Sequence, residues 1–354
     1  ALIKLSAMVS INKLIIMKSI CSKYTIEEVN HEKWSYYWPK VSHHNLVQSW
    51  EYGEAKNTAE SWTPIRFLVR DNKDNPVAIL QVLTKTWPLI GGIARLNRGP
   101  LLIKNNEVTI ELEYKIKIDI LQLLISILKK YKWWVLFVAP ELPNKKYLRK
   151  KLMAIGLSYR KTPNFGSALL SLDGPEDEIL MSIKGKWRNL LRKAKEYNIR
   201  VECTSTGYQH LDDILNDYVG FQKQKGFTGI PNELIRGLSR HEGKDWKFIV
   251  YNAIYSEGGN KLKPYAGTVI SIIHGETATY LIGFTNQLGR QTNANYLLLW
   301  SAILDARDNG CRWFDIGGLN TTTTKGVSHF KRGLNGDEYI LQGELWCSAF
   351  PAFN

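Results

Sequence analysis

Hydrophobic and polar positions along this chain switch between two periods. Residues 65–69 and 76–83 are short apolar runs. Between them lies Arg70-Asp71-Asn72-Lys73-Asp74-Asn75, turn chemistry that predicts a β-hairpin. Residues 91–96 add a strand, and Arg98-Gly99-Pro100-Leu101-Leu102 reads as its exit. From 108 to 131 the apolar positions fall at Ile116, Ile120, Leu121 and Leu124, the spacing of a helix face. Residues 133–138 are continuously apolar, as a fully buried strand is, and 145–155 reads as a further helix. The second half runs on similar lines. Strands are expected at 167–172, 200–203, 246–252, 265–274 and 277–284, and helices at 182–198 and 210–225. An apolar helix at 295–306 and a strand at 312–315 close it. The order predicts two similar α/β halves joined near 160–168.

The end of that pattern is the most informative stretch. Asp315-Ile316-Gly317-Gly318 reads as a strand opening into a glycine pair. A mobile Thr/Gly loop is expected next, then the basic segment His329-Phe330-Lys331-Arg332-Gly333. Glycines at a strand end admit a close backbone or a ligand. A lysine just beyond can meet an anion or a developing negative charge. A plain strand-to-helix connection with a solvated Lys-Arg pair reads equally well from this window alone.

Composition narrows the choice. The 354 residues suggest two domains, and 44% hydrophobic residues are enough for real cores. The net charge is +14 and the pI near 9.4. That points to nucleic acid, a phosphorylated substrate or an acidic membrane surface, against the plainer reading of a generally basic protein. Cysteines at 21, 203, 311 and 347 form no CxxC pair and no zinc spacing, so reduced thiols, a cytoplasmic location and no metal are expected. There is no HExxH, Walker loop or GxSxG. No apolar run reaches the roughly 18 residues of a membrane helix. Residues 14–17 are apolar but bounded by Lys13 and Lys18, and residues 1–16 are expected to form an extension outside the fold.

One helix is dense in cations. In 183–200, Trp187, Leu190, Leu191 and Ala194 share a face, and Lys184, Arg188, Arg192 and Lys195 line another. Such a helix can pack on its domain and still show phosphates a cationic ridge. A solvated face is the bland alternative.

Several segments, taken in order, resemble the FemABX family and its GNAT-like relatives. They are Gln48-Ser49-Trp50-Glu51-Tyr52-Gly53-Glu54-Ala55-Lys56, Asn97-Arg98-Gly99-Pro100, Lys186-Trp187-Arg188-Asn189-Leu190-Leu191-Arg192-Lys193-Ala194, Asp315-Ile316-Gly317-Gly318 and Phe330-Lys331. The likeness covers about 45 to 345. It implies α/β (α+β) architecture: two tandem GNAT-like acyltransferase domains with mixed central sheets. The first would comprise 17–166 and 338–354 and bind the acceptor. The second, 167–337, would bind the acyl donor. No coiled-coil arm is expected, because 182–225 holds no long heptad hairpin.

The resemblance implies transfer of an amino acid from aminoacyl-tRNA to an amine of a peptidoglycan or surface-glycan precursor, UDP-linked or lipid-linked. No cofactor is then needed beyond the charged tRNA. Lys331 and Phe330 would be catalytic, with Lys331 facing the donor end. Lys56 would bind the acceptor diphosphate, with Trp50, Tyr52, Arg98, Arg236 and Tyr280 around the acceptor. Lys184, Arg188, Arg192, Lys195 and Arg332 would meet the tRNA, and Gly317 and Gly318 would shape the loop. A second reading is an acyl-CoA-dependent N-acyltransferase on an amino sugar. A third is a non-catalytic RNA-binding protein. The segment where GNAT proteins hold CoA pyrophosphate on glycines reads Gly289-Arg290-Gln291-Thr292-Asn293-Ala294-Asn295, which favours tRNA over CoA.

Overall fold

The computed structural model describes residues 23–205, 210–255, 265–320 and 323–350. The expected extension at 1–16 and Cys21 lie outside the described residues. The chain divides into two compact units: 1–57, 61–164 and 340–354 form one, and 58–60 and 165–339 the other.

The first unit is built on an eight-stranded mixed sheet. Its strands are β1 (Tyr24–Glu28), β2 (Thr63–Asp71), β3 (Pro76–Trp87), β4 (Gly91–Asn97), β5 (Leu101–Leu102), β6 (Trp133–Ala139), β7 (Ser158–Tyr159) and β15 (Leu345–Ser348). The order is β1-β2-β3-β4-β6-β15-β7, with β5 on β3. The hairpin forms as the turn chemistry predicts, with Asp71 Oδ1 accepting from the Lys73 and Asn75 amides. Strand β4 pairs parallel with β6, and the chain's last strand inserts antiparallel beside β6. The helices are α1 (His31–Tyr37), α2 (Trp50–Glu60), α3 (Ile110–Ser126) and α4 (Lys146–Ala154). Thr109 caps α3, whose Ile118, Leu121 and Leu124 join Phe67, Leu80 and Leu136 in the core.

The second unit carries a seven-stranded mixed sheet in the order β14-β8-β13-β12-β11-β10-β9. These are β8 (Gly166–Ser171), β9 (Ile199–Ser205), β10 (Trp246–Tyr255), β11 (Tyr265–His274), β12 (Thr277–Thr285), β13 (Trp313–Asp315) and β14 (Asp337–Ile340). Its helices are α5 (Glu176–Ser182), α6 (Gly185–Glu196), α7 (Leu211–Lys225), α8 (Asn232–Ser239), α9 (Gln287–Gln291), α10 (Ala294–Asp308) and α11 (Lys325–Arg332). Leu298, Leu299, Ala302, Ile303 and Ala306 of α10 are buried against the sheet. The basic segment after the glycine pair is the helix α11, as a strand-to-helix connection requires, with Phe330 and Lys331 facing inward. Mixed α/β architecture without a coiled-coil arm is what the described residues show.

Candidate active site

The site in the second unit begins at Asp315. It ends β13, which pairs parallel with β12 and antiparallel with β8. Asp315 is 4% exposed and its carboxylate is richly engaged. Oδ1 accepts from the Ser167 hydroxyl and from the Gly317 amide at 2.9 Å, and Oδ2 accepts from Tyr339 Oη at 3.0 Å. Ile316 and Leu319 donate to the Ala168 and Gly166 carbonyls, so the turn is pinned to β8. Gly317 has φ +69°, and a Cβ there would come within 2.9 Å of the Tyr280 carbonyl and 3.3 Å of Lys331 Nζ. Glycine is required by both the backbone and the close approach.

Lys331 reaches this turn from α11. Its side chain is 7% exposed, and Nζ donates to the Gly318 carbonyl at 3.3 Å. Nζ also sits 4.9 Å from the Tyr280 ring centroid, a cation–π distance. Burial lowers the Lys331 ammonium from the usual lysine value to about 8, against an opposing pull from Asp315. Tyr280 lies beside a bulge in β12, where Ser271 pairs with Tyr280 and Ile270 with Ile282. Bulges commonly re-aim a side chain at a site. Burial pushes the Tyr280 phenol up, so it stays protonated. Gly283 leaves room for its hydroxyl, since a Cβ there would lie 2.3 Å from it.

Phe330 does not face the same space as Lys331. It stacks on Trp187 at 6.1 Å and meets Tyr296 edge-on at 5.0 Å, which anchors α11 to α6 and α10. The Lys184 amide donates to the Gly333 carbonyl, so the start of the basic helix adjoins the end of α11. On α6, Trp187, Leu191 and Ala194 are buried, while Lys184, Arg192 and Lys195 are exposed as the periodicity predicts. Arg188 departs from the ridge: its Nη1 donates to the Met181 and Ile183 carbonyls. Arg332 pairs with Glu338.

The structure thus brings Lys331, Gly317, Gly318 and Tyr280 together. Arg236 sits elsewhere on α8 and pairs with Asp212 and Glu233. The remaining expected residues belong to the first unit. Trp50, Tyr52 and Lys56 lie on α2 and are half-buried. The Trp50 ring covers the Arg66 guanidinium at 3.4 Å, and Arg66 also pairs with Glu54 at 2.9 Å. Burial lowers Arg66 to about 10. Gly53 is what lets α2 lie on this layer, because a Cβ would fall 2.1 Å from Gln81 Oε1. Arg98, expected at the acceptor, is buried and paired. Nε and Nη2 each bond a Glu141 oxygen at 3.0 Å, and Asn45 ties the same pair. Burial pushes the Glu141 carboxyl up, but Arg98, with His43 and Lys117, outweighs it and holds it below the usual range.

Sequence reasoning missed Ser167, Tyr339 and Glu141. Their partners lie 148, 24 and 43 positions away, so no local pattern signals them. No cluster among the described residues could hold a metal ion. Nor is any helix among them long and apolar enough to cross a membrane.

Two units, each on a mixed sheet, with a lysine buried at a glycine turn in the second, have the tandem GNAT-like fold. Solved structures agree on the fold. A structure of FemX is 15% identical, with a TM-score of 0.73 over 92% of this chain and 97% of that one. A conserved protein of unknown function from Bacteroides thetaiotaomicron is 12% identical, with a TM-score of 0.55 over 91% and 98%. A tandem GNAT protein from the clavulanic acid biosynthesis pathway is 10% identical, with a TM-score of 0.50 over 93% and 99%. The family model described as the FemAB family matches residues 249–347, which include β11, β12, the Asp315 turn and α11. Over those residues the chain is thus similar to the FemAB family, on a fold that FemX shares. No curated protein sequence matches it.

Proposed function

We propose that the chain moves an aminoacyl group from aminoacyl-tRNA to an amine of a peptidoglycan or surface-glycan precursor. The observation that supports this reading most is the buried Lys331 ammonium at the Gly317–Gly318 turn. The amine attacks the ester carbonyl, a C–N bond forms, and the carbonyl oxygen becomes an oxyanion. Lys331, protonated below about pH 8, stabilises that charge in a site that excludes water. The C–O bond to the ribose then breaks, and the proton lost by the amine ends on the ribose oxygen. No serine or cysteine nucleophile is needed, because the ester is already activated. Asp315 accepts on both oxygens, which suits holding the turn better than taking a proton.

The donor reading draws on two further observations. The exposed Lys184 adjoins the end of α11, and the exposed Arg192 and Lys195 lie further along the same helix, a ridge where tRNA phosphates would be met. In the segment at 289–295 the amides of Gly289, Arg290 and Thr292 are already engaged within the turn. The Gly289 amide is already capped by Asn286 Oδ1 at 3.0 Å, and Gly289 is glycine because a Cβ would strike the Ala266 carbonyl at 2.0 Å. Lys56 and Tyr280 remain the proposed acceptor contacts, with Lys56 on the diphosphate. The test supplies labelled aminoacyl-tRNA and, separately, labelled acyl-CoA, with UDP-linked precursors and amino sugars as acceptors. Transfer from tRNA that RNase and Lys331→Ala both abolish is the expected result. Transfer from CoA alone would replace the donor, and RNA binding without transfer would replace the enzyme.

A further inference from the structure

The first unit exposes an apolar tip that the transfer site does not use. Strands β3 and β4 are joined by Trp87-Pro88-Leu89-Ile90-Gly91. Trp87 is 48% exposed, Ile90 68% and Leu89 fully exposed. Leu89 has φ +65°, a conformation that Gly or Asn adopts more easily, so an apolar side chain is presented where a turn residue would cost less. The patch continues beyond the hairpin. Trp134 Nε1 donates to the Ile90 carbonyl, and the Trp134 ring lies 4.9 Å from Phe350, itself 45% exposed.

Lysines surround this tip. The Gly92 amide donates to the Lys132 carbonyl at 2.8 Å, which sets the α3–β6 turn against the hairpin. That turn carries Lys129, Lys130 and Lys132, all exposed, and Lys85 stands two residues before Trp87. Residues 85–92 and 127–134 hold these four lysines and no acid. The shape is a convex turn rather than a groove, and a few side chains fall short of the roughly 1,000 Å² that a stable protein interface needs. Tryptophan and aliphatic residues at a protrusion, ringed by lysines, match the chemistry of an acyl–headgroup boundary bearing negative charge.

We infer that this tip docks the protein on an anionic bilayer surface, with Trp87, Leu89 and Ile90 inserted and Lys85, Lys129, Lys130 and Lys132 facing the headgroups. The inference is independent of which donor and acceptor the transfer site uses. The test is flotation of the full chain with vesicles of phosphatidylcholine alone and of an equimolar mixture with phosphatidylglycerol. Strong flotation with the anionic vesicles only is expected. The exposed substitutions Trp87→Ser, Leu89→Ser and Ile90→Ser, combined, should abolish it with circular dichroism unchanged. Each Lys→Gln change in the ring should weaken it by about fivefold. Brominated lipid should quench fluorescence that Trp87→Phe removes. Flotation that survives the triple substitution would mean general attraction by the +14 charge, and would overturn the proposal. So would an absence of flotation, or tip-dependent self-association in its place.

Discussion

Each unit buries a cation beside a carboxylate, and the two pairs are wired in opposite ways. In the first, Glu141 gives both oxygens to Arg98, and the guanidinium fork is matched. In the second, Asp315 gives its oxygens to Ser167, the Gly317 amide and Tyr339. Lys331 is left with a carbonyl, a ring face and a carboxylate that acts on it through space. A cation whose carboxylate is bound to it directly is part of the scaffold. One whose carboxylate is engaged elsewhere keeps donors for something that arrives. Burial moves the Lys331 ammonium toward neutrality near physiological pH.

The largest effect should come from breaking the matched pair. Arg98→Met leaves Glu141 charged and buried, which should cost about 3–5 kcal/mol in urea unfolding. A small loss would mean that Asn45, His43 and Lys117 suffice for Glu141. Lys331→Met should do the reverse. Transfer should fall by about 10²- to 10³-fold, as when an oxyanion donor is removed. Stability at pH 7 should rise, by up to about 3 kcal/mol, because a charged group held at about 8 instead of 10.5 is destabilising. The sign follows from proton counts. Between pH 8 and 10.5 the unfolded chain holds the Lys331 proton and the folded chain has released it. The parent is therefore stabilised as pH rises through that window, and the advantage of Lys331→Met should shrink across it. A gain that stays constant with pH would have to come from packing.

The same contrast explains what could be read before the structure. The strands at 65–69, 76–83, 265–274 and 277–284 form because their apolar runs need no partner to be recognised. The face of α6 was legible for the same reason, as was the glycine turn ahead of Lys331. The wiring was not. Arg98 in a conspicuous Arg-Gly-Pro segment and Asp315 in Asp-Ile-Gly-Gly look alike as sequence. What separates them is a glutamate 43 positions away in one case and a serine 148 positions away in the other. Arg188 failed as an exposed cation because its fork finds carbonyls just before its own helix, and no periodicity reports that. The apolar pattern marks the helix α11 weakly: Val327 is exposed, and only Phe330 and Lys331, near its end, face inward.

A subtler change tests the through-space link. Asp315→Asn keeps the shape and most acceptor positions but removes the negative charge. Asp315 raises the Lys331 value against burial, so its loss should lower that value further. The alkaline limb of kcat/KM, expected near pH 8 in the parent, should move to lower pH. A limb that stays in place while kcat falls would reduce Asp315 to holding the turn.

The smallest effect is expected at Arg236, which sharpens the comparison from its exposed end. Its guanidinium is bound by two carboxylates, as Arg98's is by one, but in water rather than in the core. Exposed pairs of this kind contribute little, so Arg236→Ala should change stability by no more than about 1 kcal/mol. If the pairing is all that Arg236 does, kcat/KM should stay within about threefold of the parent. An acceptor phosphate bound there would have to displace Asp212 and Glu233. That would raise KM for a diphosphate-bearing acceptor and leave kcat alone, and the effect would vanish with an acceptor lacking the diphosphate. The same pair of acceptors applied to Lys56→Ala should give the KM split there instead.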